Sequence, residues 1–140
     1  MVRLTKQQIG RDWSLILDHS FSRSVNEGEV RFHEGTRTVY ASVFKTSGAD
    51  AEQAIEKMIE GRPGIPVQIF DRDEPGLRGH AYLLPEGDRH NPYWGLNTWT
   101  ASAGTVACVT IYFRDLAELD WAISLWKSVR PLRETKVAMN

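Results

Sequence analysis

A nine-residue stretch near the end of the chain, Thr105–Phe113, limits the folds that this sequence can adopt. Its side chains alternate between two faces, and both faces are largely apolar. The two sets are Ala107, Val109, Ile111 and Phe113 on one face and Val106, Cys108, Thr110 and Tyr112 on the other. A strand with two apolar faces is typical of the centre of a sheet, where both faces are covered. We therefore expect Thr105–Phe113 to be a central strand that needs other elements packed on its sheet.

The segment that follows, Asp115–Pro131, has the pattern of an amphipathic helix. Asp115 is a suitable N-cap with Glu118 three residues further on, and Pro131 should end the helix. The apolar residues that recur at helical spacing are Leu119, Ala122, Ile123, Trp126 and Val129. We expect this helix to cover an apolar face of the sheet.

Trp121 and Leu125 lie one turn apart at the edge of that apolar stripe. They widen the stripe beyond what one sheet face needs. Either they pack under the N-terminal arm, or they make a contact with another subunit or partner. In the second case, Trp121 and Leu125 are the predicted partner-binding residues.

Alternating patterns elsewhere predict further strands, and a second helix should begin at the N-cap Asp50 with Gln53 as its capping partner. The predicted strands are Trp13–Leu17, Glu29–His33, Arg37–Lys45, Val67–Phe70, Arg78–Leu84 and Tyr93–Ala101. We expect residues 1–10 to be a loose arm, Phe21–Gly28 to be a loop, and the tail after Arg133 to be frayed.

The resulting order of elements, βββαββββα, predicts an α+β fold. We expect a mostly antiparallel sheet of about six to seven strands flanked by two helices, because the joins between strands are short. The 140 residues should form a single domain, 1–140, with a core over about residues 12–132 and flexible termini.

The formal net charge of −1 and the single cysteine exclude several classes of protein. A charge near zero is not typical of proteins that bind nucleic acid, so we expect no such partner. Cys108 has no second cysteine with which to form an internal disulfide, and no run of about 18 apolar residues could cross a membrane. The N-terminus is too polar for a signal peptide. We therefore expect a cytoplasmic protein that does not insert into membranes.

Residue types that bind metals or carry catalysis are present, but not at a functional spacing. No two histidines are closer than ten positions, and Asp71–Glu74 lacks the glycine and glutamate of a calcium-binding loop. Cys108 lies mid-strand among apolar residues, where a thiol is usually inert. There is no Gly-x-Ser-x-Gly motif and no phosphate-binding glycine loop. We predict no catalytic residue, no metal site and no cofactor.

The aromatic-rich stretch after residue 90 predicts either side chains that one of the two helices covers or an aromatic binding surface. Trp94 and Trp99 are separated by an odd number of positions, so in a strand they point to opposite faces. One of them is then core, and the other could lie beside His80 or Tyr82. Arg78 and His80 share a face of the preceding strand. We group Arg78, His80, Tyr82 and Trp94 as the predicted ligand-binding set.

Several features occur together over about residues 12–132. They are Trp13 in an early strand, a hairpin ending in Val39–Phe44, a medium helix with Ala54, Ile55 and Met58, and a closing helix with Ala122, Ile123 and Ser128. This order resembles the PsbP-like superfamily, which includes Ran-release factors, a photosystem II extrinsic subunit and bacterial DcrB-like proteins. The resemblance implies a sheet flanked by helices in a mostly non-catalytic family, whose bacterial branch includes chaperone-like adaptors for secreted effectors. It transfers no binding residue, because no functional motif matches.

The leading hypothesis is a non-enzymatic protein-interaction or adaptor domain that binds a partner protein through a sheet face or an exposed helix flank. A homodimer is one form that this interaction could take. The alternative is a small-molecule-binding or enzymatic domain with a pocket near Arg78, His80, Tyr82 and Trp94. A third hypothesis is a chaperone-like adaptor or an immunity protein for a secreted effector.

Overall fold

Ten strands and two α-helices make up most of residues 3–46 and 50–132, the part of the chain that the computed structural model describes. The strands are β1 (Leu4–Ile9), β2 (Trp13–Asp18), β3 (Ser22–Asn26), β4 (Glu29–Glu34), β5 (Arg37–Lys45), β6 (Gln68–Glu74), β7 (Leu77–Gly87), β8 (Pro92–Ser102), β9 (Thr105–Phe113) and β10 (Arg130–Pro131). The helices are α1 (Ala51–Glu60) and α2 (Leu119–Lys127). All strand pairs are antiparallel, so the predicted α+β fold with an antiparallel sheet and two helices is confirmed. Across the described residues, no helix has both the length and the apolar character needed to cross a bilayer.

Strand β9 is the middle strand of a seven-stranded sheet, in the order β3-β4-β5-β9-β8-β7-β6. Ile111 at its centre lies opposite Val39 of β5 on one side and Leu96 of β8 on the other. All three side chains are fully buried. The prediction that Thr105–Phe113 is a central strand is therefore confirmed.

One face of this sheet, which we call the inner face, is covered by a second sheet in the order β1-β2-β10. The two sheets enclose the main hydrophobic core. Its buried side chains include Ile9, Trp13, Leu15, Leu17, Val39, Leu96, Val109, Ile111 and Phe113. The indole N–H of Trp13 donates a hydrogen bond of 2.9 Å to the hydroxyl of Thr105, so this tryptophan is buried without an unsatisfied polar atom.

Two segments that were expected to be irregular are strands. The prediction of a loose arm over residues 1–10 is wrong, because Leu4–Ile9 pairs along its whole length with β2. The prediction of a loop over Phe21–Gly28 is also wrong, because Ser22–Asn26 pairs with β4. Both are edge strands with mostly exposed side chains, so they lack the apolar alternation by which a strand is recognised. The tail after Arg133 lies outside the described residues.

Helix α2 covers the inner face together with β2. Asp115 and Glu118 form the expected capping box, which here begins with a short 3-10 turn, Leu116–Glu118. The prediction that Pro131 ends the helix is wrong, because α2 already ends at Lys127 and Pro131 pairs with β2. The hydroxyl of Ser128 donates to a carbonyl of the last turn and accepts a hydrogen bond from the backbone of β2. These bonds join the end of the helix to the smaller sheet.

Within residues 3–46 and 50–132, the opposite, outer face of the large sheet is covered in part, by α1. Asp50 and Gln53 form the predicted capping box of this helix. Its buried residues, Ala54 and Ile55, pack against the outer side chains of β8 and β9. A helix of ten residues is about 15 Å long, whereas an 11-residue strand such as β8 is about 36 Å long. Helix α1 therefore leaves a large part of the outer face open.

Candidate functional site

The uncovered part of the outer face forms a shallow groove with a volume of about 640 Å³. Its lining residues, which define what we call the tyrosine groove, are Glu29, Thr36, Thr38, Tyr40, Tyr93, Thr110 and Tyr112. Neighbouring strands supply them in register, since Thr38 lies opposite Tyr112 and Tyr40 lies opposite Thr110. The groove is open to solvent along the sheet, a shape that suits an extended ligand better than an enclosed small molecule.

Three tyrosine rings form the apolar part of the groove. The ring of Tyr112 lies between the other two, with its centroid 6.1 Å from that of Tyr40 and 5.7 Å from that of Tyr93. The interplanar angles are 80° and 75°, so both contacts are edge-to-face. All three side chains are half-buried, which leaves part of each ring available for contact with a ligand.

Glu86 and the central ring of the groove, Tyr112, both lie beside Gly95. A Cβ atom on Gly95 would lie 3.1 Å from Cε1 of Tyr112 and 3.3 Å from Cγ of Glu86. The absence of a side chain at Gly95 therefore leaves room for Glu86 and Tyr112 to approach each other across β8. Burial raises the pKa of the Tyr112 hydroxyl, and the negative charges of Glu86 and Glu29 contribute to raising it further. The groove is thus aromatic and bears negative charge at its edge.

The predicted ligand-binding set is not brought together. Arg78, His80 and Tyr82 share the outer face, as expected, but Trp94 does not. Trp94 lies opposite Phe113 and packs against the main core on the inner face, so its inclusion was wrong. The tryptophan beside His80 is Trp99, with a centroid distance of 6.0 Å and an interplanar angle of 19°. The register that places Trp99 opposite His80 is a property of the β7–β8 pairing, which the spacing of the two tryptophans does not determine.

His80 has a structural role that leaves neither ring nitrogen available to a ligand. Its side chain is only 2% exposed. Nδ1 lies 2.8 Å from a carboxylate oxygen of Asp71, and Nε2 lies 2.8 Å from a guanidinium nitrogen of Arg62. Because the guanidinium can only donate, Nε2 accepts its hydrogen bond, and the N–H of Nδ1 donates a hydrogen bond to Asp71. His80 therefore holds the connection between α1 and β6 onto the sheet.

The other two members of the set are also engaged within the protein. Tyr82 is 4% exposed, and burial raises the pKa of its hydroxyl. Arg78 makes ion pairs with Glu52 at 3.2 Å and with Asp73 at 3.3 Å. His80 and Tyr82 offer a ligand almost no accessible surface, so we do not place a binding pocket at this set.

The two predicted partner-binding residues of α2 also pack inside the protein. Leu125 is 3% exposed and belongs to the main core, so its assignment to a partner contact was wrong. Trp121 is half-buried and stacked on Phe21, with ring centroids 6.1 Å apart and an interplanar angle of 11°. The guanidinium of Arg37 lies 4.1 Å from the Trp121 ring centroid and is held by Glu118 at 2.6 Å. The flank of α2 is thus occupied by Phe21 and Arg37.

The tyrosines of the groove were not selected by sequence analysis. Alternation along the sequence does place Tyr40 on one face of β5 and Tyr112 on one face of β9. What makes them a site is the pairing of β5 with β9 and of β9 with β8, which brings three distant segments together. A further signal in the sequence is the glycine at position 95, which lies opposite Tyr112.

The described residues contain no group of three or more His, Cys, Asp or Glu side chains that could hold a metal ion. Cys108 is a free thiol on the outer face, opposite Trp99 of β8. Burial raises its pKa from 9.0 to about 11, so the reactive thiolate is scarce at neutral pH.

No family model matches the chain, and no curated protein sequence matches it. Among solved structures, the chain is similar to a protein from Bacteroides thetaiotaomicron VPI-5482 whose crystal structure has a resolution of 1.50 Å. The TM-score is 0.69 at 11% sequence identity, and the match covers 91% of this chain and 50% of that chain. The chain therefore spans about half the length of that protein. At this identity the similarity shows a shared fold and nothing about activity.

Proposed function

We propose that this chain is a non-enzymatic protein-interaction domain that binds a partner protein through the tyrosine groove. The observation that carries the proposal is the open part of the outer face, where three half-buried tyrosines line a shallow groove. Tyrosine is enriched among the residues that dominate binding energy at protein interfaces. A shallow groove also suits a polypeptide laid across the sheet.

The alternatives from the sequence have less support. An interaction through the flank of α2 would need Trp121 and Leu125, but one is stacked on Phe21 and the other is buried. A small-molecule or enzymatic site at Arg78, His80 and Tyr82 would need accessible polar atoms. Both ring nitrogens of His80 are already paired with protein groups.

The proposal places the protein in the cytoplasm as an adaptor. The free thiol of Cys108 is compatible with a reducing compartment. The PsbP-like relationship stays a prediction and agrees with an adaptor role.

Site-specific photo-crosslinking in cells of the native host tests the proposal. Tyr93 is replaced by p-benzoylphenylalanine, which keeps an aromatic ring in the groove. The matched control carries the same amino acid at Val25, which is 61% exposed on the edge strand β3 and does not line the groove. We expect a discrete protein adduct at position 93 and none of that size at position 25.

The outcomes separate the alternatives. An adduct twice the mass of this chain would identify a second copy as the partner and define a homodimer. The absence of any protein adduct at position 93, or the same adducts at both positions, would contradict the proposal. Variants Tyr40→Ala and Tyr112→Ala should weaken the adduct at position 93 while the protein stays folded by circular dichroism.

A further inference from the structure

We infer that the tyrosine groove binds a basic side chain of the partner, an arginine or a lysine, against the tyrosine rings and between the carboxylates of Glu29 and Glu86. This inference rests on the proposed function and names the chemistry of the partner at that site. It follows from the orientation of the rings, the placement of the two glutamates and the lack of a basic group that would neutralise them.

The rings can present faces to a cation. Because Tyr40 and Tyr93 each meet Tyr112 edge-to-face, the three rings are not stacked on one another. A guanidinium or ammonium group over an aromatic face is attracted by the negative potential of that face. The chain already uses this contact, since guanidinium groups lie over Phe32, Trp121, Tyr82 and Trp126. In the tyrosine groove the rings are present without such a cation among the described residues.

The two carboxylates lie at the groove without an ion pair. Glu29 is one of the lining residues, and Glu86 lies beside Gly95, as Tyr112 does. Within residues 3–46 and 50–132, no basic nitrogen lies within 4.0 Å of either carboxylate. Glu86 is half-buried, and a half-buried carboxylate is more costly to leave unpaired than one in free solvent, whereas Glu29 is exposed. A cation from a partner would neutralise the negative charge of both carboxylates.

Arg31 is a basic residue near the groove. Arg31 of β4 is opposite Tyr40 in the strand register and on the same face. It does not reach either glutamate within ion-pair distance and is not among the lining residues. The hydroxyls of Thr36, Thr38 and Thr110 complete the lining and can accept hydrogen bonds from a guanidinium. Two glutamates at the groove, with no lysine or arginine among the described residues that line it, favour a cationic ligand over an anionic one.

Synthetic peptides test the charge preference directly. The probes are capped pentapeptides of glycine with two arginines, with two lysines or with two glutamates at the same positions. Binding is followed by NMR through the backbone amide signals of Gly95 and Thr110. We expect the arginine peptide to shift these signals, the lysine peptide to bind more weakly and the glutamate peptide to leave them unchanged.

Removal of negative charge from the groove is the second test of the inference. The double variant Glu29→Gln, Glu86→Gln should bind the arginine peptide about fivefold to tenfold more weakly, and added salt should weaken binding to the unsubstituted protein. The control is Glu56→Gln, an exposed glutamate of α1 that is not part of the groove, which should bind as the unsubstituted protein does. Circular dichroism checks that all variants are folded.

The same crosslinking experiment separates the two proposals. If the protein adduct at position 93 persists in the Gln double variant at full yield and the arginine peptide does not bind, the partner is a protein but the cationic inference is overturned. Binding of the glutamate peptide would overturn it as well. If no protein adduct forms at position 93, the proposed function fails and this inference fails with it. Loss of the adduct in the Gln double variant, but not in Glu56→Gln, supports both.

Discussion

The guanidinium of Arg72 donates a hydrogen bond of 2.9 Å to the backbone carbonyl oxygen of Trp126. A second nitrogen of the same group donates to the carbonyl of Lys127 at 3.0 Å, and the third donates to Glu74 at 2.8 Å. Arg72 is only 4% exposed, although it lies on the edge strand β6. It therefore supplies donors to the last carbonyls of α2, which have no partner within the helix. These hydrogen bonds fix the end of α2 to the edge of the large sheet.

Replacement of Arg72 by methionine should lower the free energy of unfolding by about 2–4 kcal/mol. The apolar side chain fills a similar volume but removes a charged donor from two carbonyls at the end of α2, of which that of Trp126 keeps the backbone N–H of Val129 at 3.0 Å. Hydrogen bonds from charged groups are among the stronger ones. Urea unfolding measures the change. The control is Arg130→Met, because Arg130 is half-exposed and its guanidinium pairs with the same Glu74, at 2.8 Å. That variant should lose about 1 kcal/mol or less. Equal losses in the two variants would contradict a special role for Arg72.

Gly79 should not tolerate a side chain, because three groups close around it. A Cβ atom would lie 3.0 Å from Cζ2 of Trp126, 3.1 Å from Cβ of Arg72 and 3.2 Å from the carbonyl oxygen of Trp99. Overpacking of a buried site typically costs about 1–3 kcal/mol, so we expect Gly79→Ala to lower the melting temperature. Gly61→Ala is the matched control, since its nearest neighbour is a backbone oxygen at 3.9 Å. That substitution should be neutral or slightly stabilising.

Protonation of Glu74 should account for part of the stability that the protein loses in acid. The hydrogen bond from Arg72 lowers the pKa of Glu74 below its ordinary value of 4.5, burial opposes this, and Arg130 lowers the pKa further. A carboxyl group whose pKa is lower when folded stabilises the protein above its unfolded pKa. That stabilisation is lost as the pH falls through the folded pKa. Unfolding free energies measured from about pH 5 to pH 3 should therefore fall less steeply in Glu74→Gln than in the unsubstituted protein. Parallel curves would show that Glu74 is not responsible.

The central strand and both capping boxes were predictable because their causes are local. Alternation over Thr105–Phe113 follows from the two-residue period of a strand, and a cap needs only residues three positions apart. The strands β1 and β3 were missed for a physical reason. An edge strand with polar side chains is held by backbone hydrogen bonds to its neighbour. Backbone hydrogen bonds produce no pattern of side chains by which the strand could be predicted.

The candidate site was less predictable because it depends on pairing between distant segments. Arg78 and His80 could be placed on one face, since they are two positions apart in one strand. The choice between Trp94 and Trp99 needed the register of β7 against β8. Prediction of the tyrosine groove requires two strand pairings and the length of α1 to be known, so no single stretch of sequence predicts it.

Cys108 should be slow to react while the protein is folded. Burial raises the pKa of its thiol from 9.0 to about 11, and only the thiolate attacks alkylating reagents. At about pH 8 this shift lowers the thiolate fraction about 100-fold, so iodoacetamide should label the folded protein at about one hundredth of the rate of the unfolded chain. Mass spectrometry after timed quenching gives both rates, with the guanidinium-unfolded protein as the reference. Because the thiol packs beside Ala101, Val106 and Trp99 under α1, Ile55→Ala should open the site and speed up labelling. Labelling of the folded protein at a rate close to that of the unfolded chain would show that Cys108 is instead an accessible, reactive thiol.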